Sequence, residues 1–231
     1  MKKIIIAIVV MLFAYNASAQ YNRFEAAFVA ANLKYDDGEF SETQNPKGAE
    51  LGFIHGFGLS KSMPLFLEVG GRLQFLHLNE DEGGDYYDDD DYDYRRYYDD
   101  DDYYYGKFVN KSDDEDEDIS LNVLNLSVLV VATYKFDITD KFSIAPQFGF
   151  NLKFNLVAKW KEEFDGESES YSWFDEDEFD ETAKRFQFGL NAGVGFSFSK
   201  FYLGYRFQPD LSEFVKDYKT NANVITLGIN F

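Results

Sequence analysis

The sequence has no cysteine and only two histidines, His55 and His77. A disulfide scaffold, a thiolate metal site and a cysteine nucleophile are therefore excluded, and imidazole chemistry is scarce. There is no glycine-rich phosphate loop and no nucleophile elbow, so nothing in the residues argues for an enzyme. Basic residues are few, 22 against 42 acidic ones, and the formal charge is −20. A nucleic-acid partner is disfavoured because its phosphates would be repelled. Long apolar runs are missing too. Beyond the N-terminus the most apolar stretch is Leu126–Ala132, far too short for a spanning helix.

What is present is acid, concentrated in two places. Asn79–Asp118 holds nineteen acidic residues against four basic ones, with nine tyrosines among them. Ala158–Thr182 holds eleven acids and two lysines. Together these segments carry more than the whole net charge, so the remainder is close to neutral. Such segments cannot bury a core and are expected to be solvated. The first residues have the pattern of an export signal. Met1-Lys2-Lys3 is positive, Ile4–Phe13 is apolar, and Ala17-Ser18-Ala19 offers a small-residue cleavage site before Gln20. The expected division is therefore a leader over 1–19 and one domain over 20–231, with acidic insertions at about 79–118 and 158–182.

Between the acidic segments the hydrophobic period is two. In Tyr21–Leu33, Phe24, Ala26, Phe28 and Ala30 oppose Arg23, Glu25 and Ala27. In Arg185–Phe198, Phe186, Phe188, Leu190, Ala192, Val194, Phe196 and Phe198 oppose Gln187, Gly189, Asn191, Gly193, Gly195 and Ser197. The same alternation runs through Gly48–Ser60, Leu65–Leu78, Ile119–Phe136, Phe142–Leu156, Phe201–Gln208 and Ala222–Phe231. Eight strands result. Tight turns at Lys61–Pro64, Asp137–Lys141 and Ser199-Lys200 alternate with long connections. All long connections fall on one side, which is the asymmetry of an outer-membrane barrel. The expected fold is all-β: an eight-stranded antiparallel up-and-down transmembrane β-barrel with long acidic extracellular loops.

Period two alone leaves open which face is outside. A lipocalin-like soluble barrel would turn its apolar face inward around a small ligand. The polar face here is rich in glycine and carries opposed charges that a narrow lumen can pair, and so many phenylalanines would overfill a small interior. These features favour a membrane barrel surrounded by outer-membrane lipid.

Asn122-Val123-Leu124-Asn125-Leu126-Ser127-Val128-Leu129-Val130-Val131-Ala132-Thr133-Tyr134-Lys135-Phe136 resembles a strand of the small outer-membrane barrels of the PorT-like family of Bacteroidota, which are OmpA/OmpX-like in build. Ile144–Phe150, Phe188–Gly195, Tyr202–Arg206 and Leu227–Phe231 are similar to the strands that follow in that family. Ser127 departs from the family's proline, and Val131-Ala132-Thr133 is less basic than its counterpart. The resemblance implies insertion by the barrel assembly machinery, with Phe231 as the C-terminal aromatic signal. It implies no reaction. Some members serve type IX secretion, so an accessory role there is one expectation.

The candidate site is the polar face: Glu50, Glu68, Arg72, Lys153 and Arg206 are expected to form a lumen charge network. In eight strands the interior is filled by side chains, so a structural plug is favoured over a small pore. His55 and His77 fall on the apolar parity and are expected to be rim aromatics. The acidic loops could hold diffuse divalent cations or meet a basic surface partner. No specific metal site or cofactor is expected, since a calcium loop needs a shaped turn that Asp88–Tyr94 lacks.

Overall fold

The computed structural model describes residues 21–36, 38, 40–60, 62–80, 117–164, 167–175 and 182–231. The expected leader lies outside the described residues, as does nearly all of the acidic stretch Asn79–Asp118. The described chain forms β1 (Tyr21–Asp36), β2 (Ser41–Gln44), β3 (Lys47–Gly58), β4 (Leu65–Glu80), β5 (Glu117–Tyr134), β6 (Phe136–Asp137), β7 (Phe142–Phe164), β8 (Glu167–Ser172), β9 (Phe186–Phe198), β10 (Phe201–Pro209) and β11 (Tyr218–Asn230).

Eight of these close a barrel. The order is β1, β3, β4, β5, β7, β9, β10, β11, each antiparallel to its neighbours, and β11 pairs back with β1. The seam runs from Arg23 opposite Asn230 to Tyr35 opposite Tyr218. It is finished by reciprocal backbone bonds between Asn22 and Phe231, at 2.9 and 2.8 Å. Closure leaves no barrel edge unpaired. The short pieces β2, β6 and β8 pair with β1, β7 and β7 respectively.

The alternation sets the two faces of the wall. Phe24, Phe28, Leu51, Leu73, Phe75, Phe148, Phe201, Leu203, Ile225 and Leu227 project outward and are exposed, Leu227 at 65% and Phe201 at 67%. Arg23, Glu25, Glu50, Gln74, Asn151 and Gln187 project inward and are buried. The barrel is thus apolar outside and polar inside over its central part, the reverse of a soluble ligand carrier.

Two features depart from the expectation. The second acidic insertion does not begin as a loop at Ala158. β7 continues to Phe164 and turns into β8, forming a hairpin from Lys159 opposite Ser172 to Phe164 opposite Glu167. A β-bulge lies where β7 enters this extension: Leu124 pairs with Val157 and Asn125 with Asn155, which leaves Leu156 as the extra residue. One extra residue inverts the parity of everything beyond it. Before the bulge Lys153 and Asn155 face inward; after it Ala158 and Trp160 do, and Lys159 is exposed.

The second departure is in the outer half of the lumen, on the side of the long connections. There most inward residues are apolar, beside a few polar ones such as Asn155 and Gln187. Val29, Ala31, Leu33, Leu76, Leu78, Leu121, Val123, Ala222 and Val224 form one buried cluster with Trp160, Trp173, Phe214 and Val215. A small hydrophobic core therefore sits inside the barrel mouth, capped by residues from the connections.

Candidate functional site

The middle of the lumen is built from three arginines and three glutamates. Arg23 and Glu25 lie two apart on β1, so both face inward. Glu50 comes from β3, Glu68 and Arg72 from β4, and Arg206 from β10. None is more than 3% exposed. Glu25 is the hub: it accepts from Arg23 Nε at 3.1 Å, Arg72 Nε at 2.7 Å and Arg206 Nη1 at 2.7 Å. Arg206 also donates to Glu50 at 2.5 Å, and Arg23 Nη2 donates to Glu68 at 2.6 Å. The Tyr21 hydroxyl donates to Glu68 as well. Gln74 extends the network from Glu50, at 3.2 Å, and receives a bond from Asn125 at 3.0 Å. The Arg23 guanidinium lies 3.9 Å from the centre of the Tyr202 ring.

The six formal charges cancel, which is the condition for holding them out of water. Taking ions into a low-dielectric interior costs several kcal/mol each unless good geometry and extra hydrogen bonds repay it. The geometry is good but not complete, because Arg72 Nη2 and Arg206 Nε have no protein partner. Crowding at the hub also explains a glycine. A Cβ on Gly52 would sit 2.9 Å from Arg72 Cγ and 3.1 Å from Glu25 Cγ. Strands β1, β3 and β4 are consecutive in the wall, whereas β10 is reached from β1 only across β11. The Arg206 bonds therefore brace separate parts of the wall across the lumen.

Of the expected network, Glu50, Glu68, Arg72 and Arg206 are brought together. Lys153 is not part of it. Its ammonium pairs with Asp210 at 2.7 Å, and Asp210 also accepts from the Thr220 hydroxyl. Asp210 opens the connection between β10 and β11, which folds across the outer mouth. Leu211 N donates to Phe188 O at 2.8 Å and Lys184 N to Phe214 O at 2.7 Å. Asp217 takes a left-handed φ of 62° where this strap turns back into β11. Phe214 is thereby placed 5.5 Å from Trp173, which stacks on Trp160 at 6.2 Å. The lumen is thus closed twice, by ions in the middle and by an apolar cap at the outer mouth.

Sequence reasoning placed Arg23 and Glu25 on the polar face without identifying them as the centre of the network. Their i, i+2 spacing with opposite charge was the available signal. Asp210 had no signal, since it lies in a connection whose path period two does not describe. Of the histidines, His77 is exposed and bonded to Asn122 at 2.9 Å. His55 keeps the outward parity but is 4% exposed, because Phe53 packs edge-on at 4.7 Å and Asn22 bonds Nδ1 at 2.7 Å. Among the described residues no three metal-ligating side chains cluster to hold an ion.

No protein-family model matches the chain, and no curated protein sequence matches it. Solved structures do align over most of its length. The crystal structure of Ail, the attachment invasion locus protein of Yersinia pestis, is 16% identical, covers 91% of this chain and 98% of its own, and has a TM-score of 0.45. Neisserial surface protein A is 13% identical with coverages of 90% and 95% and a TM-score of 0.40. The N-terminal β-barrel domain of Pseudomonas aeruginosa OprF is 9% identical, with coverages of 90% and 97% and a TM-score of 0.26. All three are bacterial surface or outer-membrane barrels. The fold itself rests on the closed strand pairing.

Proposed function

We propose that this chain is an outer-membrane β-barrel that works as an anchor, neither a catalyst nor an open channel. The observation that carries this is the pairing of an apolar outer wall with a lumen closed at two levels. An exposed band of phenylalanine and leucine around a closed barrel is stable only against lipid. A lumen filled by bonded arginine and glutamate, under a tryptophan-lined cap, offers no continuous water path.

The anchor holds its acidic segments on one side. The long connections all leave the same end of the barrel, and the extended hairpin β7–β8 stands above the wall there. In an outer membrane that end faces outward. The segments then set surface charge, gather divalent cations diffusely, or meet a partner with a basic surface. Export by the leader over 1–19 and insertion by the barrel assembly machinery follow from this location. A secretion role of the kind found in the PorT-like family would show as lost cargo in a deletion strain.

Fractionation and gel mobility test the reading. The protein should be found in the outer membrane, and unheated and boiled samples should migrate differently, as a closed barrel resists detergent. A soluble periplasmic protein with no heat shift would refute it. Removing Gly83–Asp116 should leave the heat shift intact, because Glu80 already pairs with Ile119 across β4 and β5. The same deletion should reduce surface binding of a cationic probe.

A further inference from the structure

The end of the lumen opposite the apolar cap is not filled. A cavity of about 350 Å³ opens there between the ion network and the short turns. Its space comes from sequence. Ser143 and Ala145 on β7 and Ser197 on β9 put small side chains inward where the other half of the barrel has leucine, valine and tryptophan. Gly195 makes room for the Tyr202 ring, which a Cβ there would strike.

The lining has a definite chemistry. Hydroxyl and amide groups line it at Tyr21, Thr133, Ser143, Gln147, Ser197 and Tyr202. Its charged members balance, with Arg23, Lys135 and Lys141 against Glu68, Asp137 and Asp140. Lys135 and Asp137 already pair at 3.3 Å, and Arg23 and Glu68 at 2.6 Å. The rings of Tyr21 and Phe66 supply apolar walls, while Arg23 covers the Tyr202 ring. Thr133 closes the wall between the cavity and the strand. It lines the cavity but is 2% exposed, and its Oγ1 is buried in the wall.

We infer that this vestibule is a binding site for a small neutral polyhydroxylated molecule, a saccharide unit in chemical class. Groups that both donate and accept match ligand hydroxyls, which do the same. Ring faces match the C–H faces of a pyranose. The balanced charges give neither an anion nor a cation an advantage. The volume lies at the lower end of the range for small-molecule pockets. The site opens at the end of the short turns, which is the periplasmic end if the proposed membrane orientation holds.

The test uses the refolded full barrel in LDAO micelles, which carry no sugar headgroup. Saturation-transfer NMR is recorded with glucose, N-acetylglucosamine and the zwitterion glycine betaine. Transfer to a sugar is expected, with betaine silent. Ala145→Phe fills the cavity and should remove the transfer or weaken affinity at least tenfold. Ser197→Ala removes a hydroxyl that lines the cavity, and should weaken it about three- to tenfold. Heat-shifted migration verifies that each variant is folded, and Ser143→Phe replaces any that is not. Absence of transfer from both sugars would overturn the inference and leave a water-filled vestibule. Equal transfer in the filled variant would place binding elsewhere and overturn it too, and transfer from betaine in place of sugar would overturn the ligand class. Failure of any of these leaves the membrane-anchor reading, tested by fractionation, untouched.

Discussion

Replacing Glu25 by glutamine should be the most damaging single change in the lumen that preserves shape. Glu25 is 1% exposed and accepts from three guanidiniums. The substitution leaves three buried arginines facing two glutamates, and it turns an accepting oxygen into an N–H that points at a cation. Breaking a buried ion pair from one side costs about 3–5 kcal/mol, because the remaining charge is stranded. The folding equilibrium should therefore fall by between about a hundredfold and a few thousandfold. The comparison is Asp36→Asn, which breaks the Lys34–Asp36 pair at 2.7 Å where both side chains are about half exposed, 47% and 49%. That pair should be worth less than about 1 kcal/mol. Urea titration of the barrel in lipid vesicles, read by the fraction of heat-shifted band, measures both. Arg72→Met added to Glu25→Gln restores neutrality at two against two, and should recover at least half of the loss. A Glu25→Gln variant as stable as Asp36→Asn would refute the view that the ion cluster braces the wall. A double variant no better than the single would show that shape, and not charge, carries the effect.

Four further outcomes are expected. Phe28→Arg puts a charge on the outward face near the middle of β1, where Phe28 is 53% exposed; it should cost about 2–4 kcal/mol in lipid, whereas Phe28→Leu should be close to neutral in the same titration. Trp173→Ala removes the ring between Trp160 and Phe214 and should weaken the docking of the cap by about 3–5 kcal/mol, with faster proteolysis in the strap over 210–217 and an unchanged heat shift of the barrel. Lys153→Met strands the buried Asp210 carboxylate and should speed cleavage in the same strap, while adding Asp210→Asn should reverse most of that change. In planar bilayers the wild-type protein should give no stepwise conductance, and regular steps at the first insertion would contradict the doubly closed lumen.

The wall of the barrel was legible because period two is a strong code when one face must meet lipid. Phe186, Phe188, Leu190 and Phe196 could only share a face, and Gln187, Asn191 and Gly195 the other. The count of strands and the separation of tight turns from long connections follow from that code. The charges on the polar face were legible for the same reason, since a narrow interior holds ions only in opposed sets. What was not legible depends on departures from the code. Leu156 is an ordinary apolar residue at the expected end of a strand, and nothing about it announces a bulge. Yet its insertion turns Trp160 inward, and without that inversion the tryptophan would face away from the lumen. The outer core could not be foreseen from β1 alone either: Val29, Ala31 and Leu33 keep the inward parity of Arg23 and Glu25, so one continuous face changes from ionic to apolar along its length.

That change has a physical cause in the cap. An inward Leu33 or Leu76 is stable only if something covers it, and the cover comes from Trp173, Phe214 and Val215, carried on connections between strands. The strap brings Phe214 into place through Asp210, whose carboxylate holds Lys153 below the mouth. So Lys153 left the expected network for a reason the strand pattern could not contain. Its partner lies outside the strands, and the lysine secures the apolar cap while the six remaining charges secure the wall. The two closures are independent in their contacts and different in kind. Loss of the cap should open the outer mouth without unfolding the barrel, whereas loss of Glu25 should weaken the barrel itself. Strap proteolysis and urea stability in the Trp173→Ala and Glu25→Gln variants should therefore move separately.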